Sequence, residues 1–344
     1  MTAPVLSPTS TAPPQPVRWR RLLWVAWLRY RTALAATAAL LGIIAIAVIT
    51  RGMQERHAYA AVQACTPASA ATCRFAYLTF HDTYGDAGFL GAIFVWVPGL
   101  IGAFAGAPLL ARELETGTFR FAWTQGVGRM RWLASLLVPG ALGVAAVGAL
   151  FGILMTWFKQ PLVDAGVVQR IHGSTFPTTG VAVVGWGLVA YSLGALIGLV
   201  VRRTVPALAV TLALWTGLAA LASVARTTYR PPLVTSSMQL GDRDLPVEQW
   251  WTHGGVRVGD AQLNQALQAL GVQVSGSGQD FQAGPGSSSV DPIQYLLQHG
   301  YVQWTSYQPD TRYWPFQGIE FAWLTVLSLL LLAATMWLVR RKAA

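Results

Sequence analysis

Long apolar blocks, each free of ionisable side chains, alternate along the chain with polar stretches. Six of them, residues 32–50, 88–111, 133–157, 178–201, 204–224 and 321–339, reach the ~20 residues a helix needs to cross a ~30 Å hydrocarbon layer. The pattern predicts an all-α membrane protein of six transmembrane helices. Ala45-Ile46-Ala47 has the small-residue form of a signal-peptide cleavage site, but 31 residues with five arginines precede the apolar run, which fits an uncleaved anchor better. Ahead of it, RWRRLLWVAWLRYR sets Trp19, Leu22, Leu23, Ala26, Trp27 and Tyr30 at helical spacing on one face, with Arg18, Arg21 and Arg29 opposite. Residues 18–31 therefore read as an amphipathic helix in the headgroup plane, the alternative being an extension of the first span with snorkelling arginines. Residues 1–17, with five prolines and no charge, read as a disordered tail.

The polar stretches differ in length and character. Residues 51–87 hold both cysteines, Cys65 and Cys73, candidates for a disulfide if that side is oxidising. His57 and His81 in the same stretch do not make a recognisable zinc site. Residues 225–319 form the longest hydrophilic piece, predicted to lie outside the cytoplasm. In it Asp260 opens a helix with Leu263, Ala266, Leu267 and Leu270 on one face and Gly271 at its end. Asp291-Pro292 opens a second, with Ile293, Leu296 and Leu297 before Gly300. Between them, nine Gly or Ser in residues 275–289 predict a flexible linker. The aromatic run YVQWTSYQPDTRYWPF, where the chain returns to the membrane, reads as an interfacial belt. Residues 320–344 are the last span and a basic tail.

Charge fixes the expected orientation. With the N-terminus cytoplasmic, the inner segments hold 14 of the 24 Lys and Arg against two of the 14 acids, Glu113 and Glu115. That gives +12 inside and −2 outside, so both termini are expected in the cytoplasm. The basic excess flanks spans and suits anionic lipid headgroups rather than nucleic acid. Composition agrees: 53% of residues are hydrophobic and 11% charged, under half the charged share of a typical soluble domain, roughly a quarter. Two cysteines cannot staple a chain of this length into a disulfide scaffold.

Several chemistries are excluded by absent motifs. The two lysines, Lys159 after Phe158 and Lys342 after Arg341, cannot supply GxxxxGK[ST], so no ATP hydrolysis is expected through a P-loop of this chain. HExxH and GxSxG are missing, and no catalytic, cofactor or metal residues are expected. The six apolar blocks carry no acid or histidine to bind a driving ion, which disfavours an ion-coupled carrier. They do carry Gly102xxxGly106 and Gly194xxxGly198, which permit close helix contact, and Pro98, Pro108, Pro139 and Pro206, which kink or interrupt helices.

The loop between spans two and three, residues 112–132, is the informative one. It holds both cytoplasmic acids in ARELETGTFRFAWTQGVGRMRW, with a helix start at Thr116-Gly117-Thr118 and aromatics at Phe119 and Trp123. Read alone, it is an ordinary loop whose glutamates screen neighbouring arginines. Its residues Glu113, Glu115, Gly117, Thr118 and Arg120 resemble the E-x-E-x-G-T-x-R signature of ATP-binding-cassette permeases of the type-2 exporter family. Nearly the whole chain follows that plan, and GAPLLARELETGTFRFAWTQ and SYQPDTRYWPFQGIE are similar to segments of permeases from GC-rich bacteria. The basic residue common at the start of span three is replaced near Ser135, and the proline after the loop aromatics is absent around Gln125 and Gly126.

The resemblance implies a coupling helix docking into a separate ATPase subunit, which would bind the ATP. It further implies a dimer of identical chains enclosing a pathway in a bacterial plasma membrane. Two other classes stay open. One is a membrane-embedded enzyme using Asp242, Asp244, Glu248 and His253; the other is a scaffold or sensor subunit with no nucleotide-dependent motion.

Overall fold

The structure is a computed structural model that describes residues 42–66, 71–85, 87–117, 129–236, 240–275, 280–283 and 291–341. The predicted tail and amphipathic helix, most of the first span, and Thr118 and Arg120 lie outside those residues. Helix α1 covers residues 42–63, followed by α2 (Ala71–Tyr84), α3 (Ala87–Thr116), α4 (Arg129–Asp164), α5 (Ala182–Val201) and α6 (Thr204–Arg226). Helices α7 (Asp260–Leu267) and α8 (Pro292–Gln298) lie in the polar segment, and α9 (Tyr313–Arg341) closes the chain. Among the described residues five helices are long and apolar enough to cross a membrane: Ile93–Thr116, Met130–Asp164, Ala182–Val201, Thr204–Arg226 and Asp310–Arg341. The chain is mostly helical, and these five correspond to predicted spans two to six.

The stretch after the first apolar block is helix where a loop was predicted. Val48, Gly52 and Glu55 repeat at helical spacing and are buried, so one face of α1 continues past residue 50. Gly52 lies against Trp157 and Phe158 of α4, and Tyr59 meets Phe80 of α2 at 5.7 Å between ring centroids. Cys65 and Cys73 are joined by a disulfide with Cα atoms 5.5 Å apart, linking the end of α1 to the start of α2.

Helix α5 is the hub of the bundle, apolar on all sides as a helix surrounded by others must be. Its Trp186, Val189, Ala190, Tyr191 and Ala195 are buried. The two glycine motifs meet here. Gly102 and Gly106 of α3 face Gly187, Ala190 and Tyr191, and Gly194 and Gly198 face Gly106, Ala107 and Ala111. A Cβ placed on Gly194 would stand 2.7 Å from the Ala107 nitrogen, so the two backbones touch with no room for a side chain. Pro98 and Pro108 lie inside α3, and Pro139 inside α4. Pro206, by contrast, sits in the first turn of α6, where its missing N–H has no helical acceptor to lose; it opens that helix rather than kinking it. The α5–α6 turn is two residues: Arg202 takes the left-handed conformation (φ 57°) with its N–H on Gly198 O, and Arg203 is extended.

The polar segment corrects the all-α expectation, because it folds on β-structure. Strands β1 (Leu233–Thr235), β2 (Leu245–His253), β3 (Val256–Val258), β4 (Val272–Ser275), β5 (Asp280–Ala283) and β6 (Tyr301–Gln308) are formed. Four make an antiparallel sheet in the order β1-β6-β2-β3, and β4 pairs with β5. Trp251 of β2 packs with Leu263, Leu267, Leu270, Val272 and Leu296 from the helices and β4. Helix α7 starts at Asp260 with Gly259 as its cap and passes through a 3₁₀ turn to Gly271. The Asp291 side chain caps α8 by accepting from Ile293 N at 2.9 Å. Part of the predicted linker is therefore strand β5. The predicted interfacial belt is divided: Tyr301–Gln308 is a central strand, and Tyr313 to Phe316 begin α9.

Candidate coupling site and buried polar cluster

The predicted loop begins as helix. Residues Arg112 to Thr116 are the last turn of α3, where the Thr116 hydroxyl donates to Arg112 O at 2.8 Å. Gly117 ends the helix with φ 70° and open space around it. Glycine is required here by that backbone conformation, not by crowding. Glu113 turns into the protein and is 3% exposed. Glu115 is exposed, and its Oε2 accepts from the Thr204 hydroxyl at 3.0 Å and Thr204 N at 3.3 Å, at the start of α6. A carboxylate is favoured there by the unfilled N–H groups of the first turn. The two acids therefore have different places, one inside the bundle and one on the neighbouring helix. Exposed Arg112, Arg131, Arg202, Arg203, Arg340 and Arg341 surround this end of the bundle.

At the opposite end, where the sheet sits, a polar cluster is buried that the apolar-block reading missed. Glu320 of α9 is fully enclosed. Its carboxylate accepts from Arg226 Nε and Nη2 at 3.0 Å each, from Trp186 Nε1 at 2.7 Å and from Tyr229 Oη at 3.2 Å. Four donors on two oxygens satisfy the group, which a buried charge requires. The Arg226 guanidinium lies 4.3 Å from the Phe176 ring centroid. Trp323 Nε1 donates to Tyr229 Oη at 3.2 Å. Burial first, then the Glu320 charge, pushes the Tyr229 hydroxyl up to about 12.

Gln317, one turn earlier on α9, accepts from Ala182 N at 2.7 Å and donates to Phe176 O at 3.0 Å, closing the start of α5. Lys159 of α4 is also buried and donates to Ser174 O at 2.8 Å and Thr178 Oγ1 at 3.2 Å. Burial, with the charges of Lys159 and Arg226, holds His172 below the usual imidazole range. A signal for this cluster existed: Gln317, Glu320, Ser328 and Thr335 recur at helical spacing on one face of the last span, and all are buried. Starting the block at residue 321 excluded the charge.

The residues considered for an enzyme are engaged elsewhere. Asp244 Oδ1 accepts from Asp310 N at 3.0 Å, Glu248 pairs with Arg257 at 2.6 Å, His253 stacks on Tyr301, and Asp242 lies against Gly166. They are spread over the sheet and its edges and converge on no shared point.

Five apolar helices packed through glycine faces, with arginines at one end, define a multi-pass membrane protein. The family described as ABC-2 membrane transporter related matches residues 35–226, over half of the chain, and the protein belongs to that family as a membrane transporter permease. The match ends with α6, so the sheet and α9 lie beyond it. No curated protein and no solved structure matches the chain. Membership implies an ATP-binding-cassette ATPase as partner in general terms.

Proposed function

We propose that this chain is the permease subunit of an ATP-driven exporter, working as a dimer in a bacterial plasma membrane and moved by a separate ATPase subunit. In this reading residues 32–50 supply a sixth span, both termini and the arginine-ringed end are cytoplasmic, and the sheet is outside. The observation that carries the proposal is the end of α3. Gly117 ends α3 with a positive φ just after Glu113 and Glu115, and in the sequence the signature residues Thr118 and Arg120 follow. Because α3 enters and α4 leaves this connection, a push on it would reach two spans at once. Closure of the ATPase on nucleotide would then shift the permease between inward- and outward-facing states.

Co-elution with an ATP-binding-cassette ATPase encoded beside the chain tests this. Gly117→Val opposes a positive φ, and Glu113→Ala empties a buried position where the connection begins. Both variants should insert into membranes normally and lose most of the bound ATPase, while Glu115→Ala should retain it. Wild-type co-elution of Gly117→Val and Glu113→Ala would reduce the connection to a solvated linker and favour a scaffold or sensor role.

A further inference from the structure

Both ends of α6 are tied by carboxylates from other spans. At the arginine-rich end Glu115 of α3 holds Thr204, and below it Ala107 and Ala111 of α3 pack on Ala207. At the sheet end Arg226, the last residue of α6, is locked to Glu320 of α9. The chain just beyond is bound to the sheet: Gln308 Nε2 at the end of β6 donates to Thr227 O and Arg230 O at 2.8 Å each, and Arg312 Nη1 donates to Pro231 O at 2.6 Å. Midway, Trp215 Nε1 donates to Trp186 O at 3.1 Å. Between these ties α6 is an unbroken helix of 23 residues, about 34 Å long, with no proline past its first turn.

We infer that α6 is the rod that carries displacement of the coupling connection to the extracytoplasmic sheet, with Glu115 as the positioning residue that joins it to α3. The inference rests on the permease reading above. A competing route runs along α4, whose Asp164 pairs with Arg243 at 2.7 Å. That pair is partly exposed, and α4 contains Pro139 and Pro161, which make it a less direct lever. The α6 route ends instead in a buried, fully bonded ion pair and two carbonyls held by one glutamine. Glu115 grips both the N–H and the hydroxyl of Thr204, so α3 and α6 move together at the end where force would enter.

The test uses the full chain with its ATPase in nanodiscs. Backbone hydrogen exchange is measured over residues 227–236 and 301–308, nucleotide-free and trapped with ATP and vanadate. The wild-type complex should show a nucleotide-dependent difference there. In complexes matched for bound ATPase, Glu115→Ala should shrink it by about fivefold or more, a typical coupling ratio, with nucleotide-free exchange unchanged. Thr204→Ser, which keeps the hydroxyl, and Arg243→Ala should both preserve the difference. A full-sized difference in Glu115→Ala, its loss in Arg243→Ala alone, or its absence in the wild-type complex would overturn the inference. Failure of the wild-type chain to bind the ATPase at all would instead sink the permease reading.

Discussion

Glu55 shows how a single buried charge is recorded in the pH response of the protein. It lies on α1, is 2% exposed, and has Arg51 Nε 3.7 Å away. Burial pushes its carboxyl from the usual 4.5 up to about 7, with Arg51 and Arg56 acting in the other direction. A raised folded-state value means that the folded protein holds the proton more tightly than the unfolded chain. The stabilisation is complete below pH 4.5 and is lost as pH rises to about 7. The thermal midpoint of the detergent-solubilised protein, referred to Glu55→Gln, is expected to fall across that interval and then level off. Parallel curves for the two proteins would remove Glu55 as the cause. Glu320 is the contrasting case: its four donors keep the buried charge paired, and a pair of this kind loses about 3–5 kcal/mol when one partner is removed.

At the scale of elements, apolar length and small-residue spacing carried most of the information. Blocks two to six became helices because a bundle surrounded by lipid must satisfy its backbone internally, and Gly102, Gly106, Gly194 and Gly198 form the contact their spacing implied. The contact sets a graded expectation. Gly194→Leu should destabilise by about 3 kcal/mol, the upper part of the overpacking range, since backbone cannot move aside as a side chain does. Gly143, with open space around it, should accept alanine with no loss and up to about 1 kcal/mol of gain from helix propensity. Denaturation midpoints measured in one detergent check both, and equal tolerance at the two positions would contradict the packing.

Elements outside the apolar blocks were less legible, for identifiable reasons. Helix α1 continues past residue 50 on a face made by Gly52 and Glu55, a small residue and a charge that an apolar count does not register. In strand β6 only Val302 to Thr305 alternate apolar and polar side chains, too short a run to announce a strand, and its aromatics also suit a membrane interface. Tertiary pairing with β2 decided between them. Glu115 was legible as an acid in the signature; its contact with Thr204, 89 residues away, depends on the packing of α3 and α6 and has no local trace.

The whole molecule combines a glycine-packed bundle, an arginine-ringed end with a short connection, and a sheet anchored to α6 and α9 at the other end. That arrangement suits a permease in which force enters at one end and is delivered at the other. The most direct measurement is the ATP hydrolysis rate of the partner ATPase in liposomes with and without this chain. The wild-type chain is expected to change the rate several-fold, roughly the size of an ordinary coupling free energy, and Gly117→Val in equal amount to abolish the change. Identical rates for ATPase alone, ATPase with the wild-type chain and ATPase with Gly117→Val would contradict that expectation.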